Sequence, residues 1–131
     1  MPPTDVPPPR QFLHVTPVLI TQDIAQTVHY YETLLGFERV FDYGNPVFYA
    51  GVSRDGFDFH FSRSEHGSAR PTRDFMGVDV YVTVADMDRL YSELVGRGAK
   101  VVYGPAKHDY GMKEFHVEDC NGYRLAFGER I

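Results

Sequence analysis

Imidazole and carboxylate side chains alternate with apolar residues at two places in this chain. Asp58 and His60 stand between three phenylalanines, and Glu114 and His116 alternate with apolar residues in the same way. Because successive side chains of a β-strand point to opposite faces, each place predicts a strand with one apolar and one polar face. Imidazoles and carboxylates that share a face serve in general acid–base catalysis, in metal binding and in recognition of polar ligands.

Further polar side chains fall on the same kind of face. Asp79 and Tyr81 alternate with valines, and Arg124 alternates with apolar residues near the C-terminus. Two curved sheets that turned these polar faces toward each other would enclose one cavity. With one tyrosine from a neighbouring strand and one from a loop, the predicted ligand-binding residues are Asp58, His60, Asp79, Tyr81, Glu114, His116, Arg124, Tyr49 and Tyr110.

Each candidate also has a purely structural interpretation. His60 could be a cavity-wall histidine bonded to water or to Asp58, and Asp79 could be a solvated carboxylate at a strand end. For Glu114 and His116 we favour exposed positions on a sheet. Aromatic residues on strands more often pack than bind, so the tyrosines are weaker evidence.

The elements that would hold these residues occur twice, in the order β-α-β-β-β. The first helix is capped by Asp23 and ended by Gly36, and Asp86 begins its equivalent in the second half. The turn pairs Asp55-Gly56 and Asn121-Gly122 precede the last strand of each half. The predicted strands are 12–21, 37–43, 47–52 and 57–62, then 78–84, 99–103, 112–118 and 123–127.

This duplication predicts an α+β fold. Two βαβββ modules in tandem would form mixed sheets around a cupped, barrel-like concave site, with the helices outside. We predict a disordered proline-rich arm at residues 1–10 and a single domain at residues 11–131. Within the domain, module one spans 12–62, a linker spans 63–76 and module two spans 77–129.

Composition narrows the class of protein. The chain has 131 residues, enough for one compact domain, and its single cysteine excludes an internal disulfide. A formal net charge of −5 argues against a nucleic-acid binder that neutralises phosphates. No apolar run reaches the roughly 20 residues of a membrane span, and the N-terminus lacks the features of a signal peptide. We therefore expect a cytoplasmic protein that binds neither nucleic acid nor membrane.

The doubled βαβββ order and the segment Gly111–Glu129 carry a family resemblance. The chain resembles the vicinal oxygen chelate superfamily, which includes glyoxalase I, extradiol dioxygenases, fosfomycin-resistance enzymes and bleomycin-binding resistance proteins. The segment is most similar to the closing hairpin of the bleomycin-resistance and glyoxalase-like branch. The resemblance spans residues 13–129 and is more specific for fold than for function, because one fold hosts several chemistries.

Enzymes of this superfamily hold a divalent metal with side chains from the first and fourth strands of each half. The resemblance carries these positions onto Thr16, His60, Asp79 and Ala126. Alanine cannot bind a metal and threonine is a poor ligand, whereas a catalytic metal normally has three protein ligands. We therefore expect no cofactor; a divalent metal, if present, would be held by His60 and Asp79.

The first functional hypothesis is a metal-free binding protein of the bleomycin-resistance type that sequesters a cationic, aromatic, antibiotic-like compound. The acid excess and the carboxylates predicted on the concave face favour it. The alternative is a metal-dependent lyase, isomerase or dioxygenase acting on a substrate with vicinal oxygens. A third hypothesis is a metal-free enzyme with His60 or His116 as general base.

The resemblance also implies an assembly and a lid. Members of the superfamily commonly form homodimers, and we expect one here, with the cup completed either within one chain or across the dimer. The loop 103–112 would rim the cavity, with Lys107, His108 and Tyr110 as lid residues.

Overall fold

The computed structural model describes residues 6–66 and 77–131, which form two βαβββ halves. The first half contains β1 (Val18–Thr21), α1 (Ile24–Leu34), β2 (Glu38–Tyr43), β3 (Tyr49–Arg54) and β4 (Phe57–Arg63). The second half contains β5 (Val80–Thr83), α2 (Met87–Arg97), β6 (Lys100–His108), β7 (Met112–Glu118) and β8 (Arg124–Arg130). The predicted α+β class and the tandem duplication are confirmed.

Each half has one four-stranded sheet of mixed direction. The strand orders are β1-β4-β3-β2 and β5-β8-β7-β6, so the first and fourth strands of each half are neighbours. These two neighbours run parallel, whereas the other pairs are antiparallel. The same order in both halves places equivalent residues at equivalent positions of the two sheets.

Both helices begin as their caps predict. The side chain of Asp23 accepts a hydrogen bond from the backbone of Gln26 at 2.9 Å, and that of Asp86 accepts one from Arg89 at 3.1 Å. These bonds satisfy amide groups that a helix leaves unpaired in its first turn. Gly98 ends α2 with a φ of 95°, a left-handed conformation that glycine adopts without steric cost.

The two halves are joined on their helix sides. The hydroxyl of Tyr31 in α1 donates to Oδ2 of Asp119, between β7 and β8, at 2.6 Å. Arg54 at the end of β3 donates to both carboxylate oxygens of Glu93 in α2, at 2.7 and 2.9 Å. Apolar residues of both halves pack into one core. This arrangement leaves the opposite face of each sheet outside the core.

The sheets are curved, as a cupped site requires, but they do not close into a barrel. Because the helix sides of the two halves are buried together, the opposite faces meet solvent. On these faces Ile20 is 41%, Tyr43 65% and Tyr81 43% exposed. The polar faces therefore do not enclose one shared cavity within the described part of the chain.

Several predicted strands differ from the observed ones at their edges. The first strand begins at Val18 rather than at residue 12. Val18 pairs with His60, and β4 begins three residues before His60, at Phe57, so residues 12–14 have no strand beside them among the described residues. Phe57, predicted to be buried, is 68% exposed, since it lies beside the turn that precedes β4.

The predicted domain boundaries are only partly covered. Half of the proline-rich arm (residues 1–5) and most of the linker (residues 67–76) lie outside the described residues. Module one extends one residue further than predicted, because β4 continues to Arg63. Among the described residues, no helix is long and apolar enough to cross a membrane.

Candidate functional site

The polar face of the second sheet carries a buried carboxylate. Glu114 on β7 is 2% exposed, although it lies on the face turned away from the helices. Its Oε2 accepts a hydrogen bond from the hydroxyl of Tyr81 at 2.9 Å. Its Oε1 lies 3.3 Å from Nε2 of His116, which is also buried. The exposed position that we favoured from sequence for Glu114 and His116 is therefore wrong, because side chains from other strands cover them.

A glycine allows Tyr81 to reach this carboxylate. Tyr81 lies on β5, and β8 runs between β5 and β7. Gly128 on β8 is the residue opposite Glu114. A Cβ added at Gly128 would lie 2.0 Å from the Tyr81 hydroxyl oxygen, so any larger residue would displace the ring. The missing side chain thus lets a phenol cross one strand to bind the next.

The protonation states around Glu114 keep it an anion. Burial works to raise the pKa of Glu114, but hydrogen bonds from Tyr81, His116 and Tyr110 outweigh it and hold the pKa below its usual value. Burial and the bond to Glu114 raise the pKa of Tyr81 to about 12, so its hydroxyl remains a donor. Hydroxyl and imidazole donors of this kind stabilise the carboxylate without cancelling its charge.

His116 has a defined tautomer. A carboxylate only accepts hydrogen bonds, so Nε2 of His116 carries the proton that faces Glu114. Nδ1 is buried with no hydrogen-bond partner among the described residues. A proton there would be a buried, unpaired donor, and burial accordingly lowers the pKa of His116. In this structure His116 therefore orients the carboxylate of Glu114 through Nε2.

Aromatic rings surround the carboxylate on its open side. His108, at the end of β6, stacks on Tyr110 with centroids 4.7 Å apart and planes 13° apart. Its Nε2 lies 3.1 Å from the Tyr103 hydroxyl and 3.6 Å from Oε1 of Glu114. The ring of Tyr110 is 59% exposed. The result is an aromatic wall beside a buried negative charge.

The first sheet carries a smaller and separate group. Nδ1 of His60 on β4 lies 3.0 Å from the hydroxyl of Tyr49 on β3, and the ring of Phe41 packs edge-on against His60 at 5.1 Å. Gly51 stands opposite His60, and a Cβ there would lie 2.3 Å from the Phe41 ring. A glycine therefore admits an aromatic ring across the neighbouring strand in this sheet as well.

Two carboxylates that we predicted as ligand-binding residues lie outside the two groups described above. Asp79 directly precedes β5, and its Oδ2 accepts the backbone N–H of Arg124 at 2.8 Å, which fixes the start of β8. Asp58 lies on β4 opposite Ser53. Asp58 and Tyr81 both line a cleft of about 840 Å³ between the halves, whose walls are mostly residues from the helix sides. The structure thus brings together Tyr81, Glu114, His116 and Tyr110, and separately Tyr49 and His60.

Sequence reasoning missed two members of the second-sheet cluster. From sequence, Tyr103 is expected only at the start of the loop 103–112, and Gly128 has no expected role. A glycine within an otherwise apolar strand is a signal that another group approaches the backbone closely, and Gly128 could have been found in this way. Tyr103 could not, because its position depends on irregular pairing between β6 and β7.

Two βαβββ halves, each with a polar sheet face turned away from its helix, define a protein of the glyoxalase-like class. A family model described as Glyoxalase/Bleomycin resistance protein/Dioxygenase superfamily matches residues 11–127. The chain belongs to this superfamily. A search of curated proteins found no match.

Solved structures from several bacteria are similar. A bleomycin-binding protein from Streptomyces verticillus, solved with copper(II)-bleomycin, is 26% identical with a TM-score of 0.65, covering 90% of this chain and 96% of that one. TioX from Micromonospora sp. ML1 is 17% identical with a TM-score of 0.73, covering 92% and 100%. A glyoxalase-related enzyme from Clostridium phytofermentans is 21% identical with a TM-score of 0.73, covering 93% and 98%. The latter two likenesses show the fold alone.

The strand register changes which first-strand residues correspond to the metal positions of the superfamily. Residues that lie side by side on the same face of two neighbouring strands have the shortest distance between their side chains. The residue beside the fourth-strand position is Val18 in the first half and Tyr81 in the second. The residues aligned from sequence, Thr16 and Asp79, lie two positions earlier, ahead of their strands.

The resulting set does not fit a catalytic divalent metal. The four positions are Val18, His60, Tyr81 and Ala126, of which two have only carbon atoms in their side chains. The Tyr81 hydroxyl is a protonated donor to Glu114. Among residues 6–66 and 77–131, no group of three or more His, Cys, Asp or Glu side chains is placed to hold a metal ion.

Proposed function

We propose that this protein binds a planar, cationic small molecule and sequesters it without chemical change. The observation that carries this proposal is the buried, ionised Glu114, whose neutral donors leave its negative charge intact. Tyr81 directs its hydroxyl inward to Glu114 while 43% of the residue stays exposed. Aromatic faces beside a negative charge attract flat cations through cation–π and Coulomb interactions.

Two further observations support this class of ligand. The formal net charge of −5 gives the whole chain an attraction for cations. The bleomycin-binding protein from Streptomyces verticillus shows that a chain of this fold, at 26% identity, can hold an antibiotic as a copper complex. A role in antibiotic resistance, by retention of a toxic compound, is the corresponding proposal for this protein. Its expected cytoplasmic location stays a prediction.

We propose that no metal or other cofactor takes part. The support is the chemistry of the donor set, since Val18 and Ala126 supply no ligand atom. His116 is buried with Nε2 bound to Glu114, which does not favour its role as general base. His60 contacts Tyr49 and Phe41 in the first sheet, whereas Glu114 lies in the second.

We also propose that two copies assemble so that the first-sheet face of one covers the second-sheet face of the other. The support is the apolar surface on the first sheet, where Val18 is 50% and Ile20 41% exposed. Light scattering should give the mass of two chains at micromolar concentration. Ile20→Asp should shift this mass toward one chain, whereas Val95→Asp, at an exposed position on α2, should not. A wild-type mass of one chain would contradict the assembly.

The binding proposal is tested with two probes that differ in charge. N-methylquinolinium and quinoline have the same flat ring system, but only the first is a cation at pH 8. Isothermal titration should show N-methylquinolinium binding about tenfold more tightly, a difference of about 1.4 kcal/mol. Glu114→Gln should remove this preference, and mass spectrometry should recover the probe unchanged.

The matched control is Asp109→Asn, which removes an exposed carboxylate beside Tyr110 and should keep most of the preference. Titration with copper(II)-bleomycin then tests the ligand class of the Streptomyces protein directly. Equal affinity for the two quinoline probes, or an undiminished preference in Glu114→Gln, would contradict the proposal.

A further inference from the structure

His108 has the chemistry of the proposed ligand. It is a flat aromatic ring that becomes a cation when protonated. In this structure it lies parallel to the Tyr110 ring at 4.7 Å and places Nε2 3.6 Å from the buried carboxylate of Glu114. The hydroxyl of Tyr103 binds the same nitrogen at 3.1 Å.

His108 is also placed so that it could leave. It is the last residue of β6 and is followed by the turn that leads to β7. Its side chain is 17% exposed, whereas that of Glu114 is 3% exposed, so His108 is the more accessible of the two neighbouring groups. Rotation about its side-chain bonds would uncover both the Tyr110 ring and Glu114 without moving a strand.

We propose that the space filled by His108 is a subsite for the flat cationic ring of the ligand, and that His108 is an internal occupant which the ligand displaces. This inference rests on the proposed function and names the subsite within it. The subsite is formed by the ring of Tyr110, the hydroxyl of Tyr103 and the carboxylate of Glu114. An incoming cation would stack on Tyr110 and approach Glu114 in place of His108.

Displacement predicts that removal of the His108 ring favours the ligand. The groups that face His108 are Tyr103 on β6, Glu114 and His116 on β7, and Tyr110 and Asp109 in the turn between these strands, while Tyr81 from β5 reaches the same carboxylate. Without the imidazole, the ligand no longer has to replace the stack on Tyr110 and the approach to Glu114.

The experiment is isothermal titration of N-methylquinolinium at pH 8. His108→Ala should bind the probe about tenfold more tightly than wild type, because the ligand no longer has to displace the imidazole. His29→Ala, which removes an exposed histidine from α1, should behave as wild type.

His108→Gln provides a second readout, because it keeps a polar side chain but cannot stack on Tyr110 as a flat ring. It should also bind the probe more tightly than wild type, and circular dichroism should show that both variants fold. If His108→Ala binds no more tightly while Glu114→Gln still weakens binding, the subsite is wrong and the proposed function stands. If neither wild type nor His108→Ala binds the probe, both are wrong.

Discussion

Gly128→Ala tests whether the close crossing of Tyr81 over β8 holds the Glu114 cluster together. The added Cβ would lie 2.0 Å from the Tyr81 hydroxyl oxygen and 2.7 Å from Cζ, distances that side chains do not adopt. The Tyr81 ring must turn away, and Glu114 then loses the bond that is 2.9 Å long in wild type.

The expected loss follows from the kind of bond that is broken. A hydrogen bond to a charged group contributes about 1.5–3 kcal/mol to the free energy of unfolding. Leaving its buried partner unpaired costs a similar amount of free energy. Because Tyr81 is 43% exposed, water can follow the ring and replace part of the bond. We therefore expect the free energy of unfolding to fall by about 1–2 kcal/mol, with weaker binding of N-methylquinolinium.

Urea denaturation followed by circular dichroism at pH 7.5 measures this loss, and a double-mutant cycle with Tyr81→Ala assigns its cause. Once the ring is absent, Gly128→Ala has nothing to displace. The two substitutions should therefore couple by about 1 kcal/mol or more. Additive effects, or a loss below about 0.5 kcal/mol in Gly128→Ala alone, would refute the reasoning.

Three other substitutions probe the contacts described above. Tyr31→Phe removes the 2.6 Å bond to buried Asp119 and should lower the free energy of unfolding by about 1.5–3 kcal/mol in urea titration; an effect within error would contradict a role for this bond in joining the halves. Because the folded pKa of Glu114 lies below its usual value, its ionised form stabilises the fold above the unfolded pKa of about 4.3, and this contribution is lost as the pH falls through the lowered folded pKa. Unfolding free energies measured from pH 6 to pH 3 should thus fall less steeply in Glu114→Gln than in wild type, and parallel curves would argue against it. Arg54→Ala breaks the paired contact with Glu93, whose side chains are 27% and 32% exposed, and should cost about 1 kcal/mol, less at high salt; a loss that salt does not change would assign the effect to packing.

Local patterns in the sequence were sufficient to predict the fold. Alternation of apolar and polar residues marks β4 and β7, and the caps Asp23 and Asp86 set the starts of both helices. These signals work because hydrogen bonding and burial within one element depend on residues close in the chain. The repeat then fixed the order of the elements, which the structure confirms.

The arrangement of the site could not be predicted in the same way. Whether the polar faces meet depends on which sides of the halves bury together, and contacts such as Tyr31 with Asp119 join residues 88 positions apart. The burial of Glu114 likewise depends on Tyr81, a residue 33 positions away that crosses a strand. No periodicity encodes such contacts, since each requires the relative position of two separate elements.

The helix-side junction has a consequence for how the protein unfolds. Within residues 6–66 and 77–131 the two sheets share no strand pairing, so each half could in principle open alone. However, Tyr31 and Arg54 of the first half bind Asp119 and Glu93 of the second, and both halves contribute to one core. Opening one half would expose the core surface of the other, so the duplicated chain is a single cooperative unit. Amides in α1 and in β7 should accordingly exchange with deuterium at similar rates, as parts of one global opening.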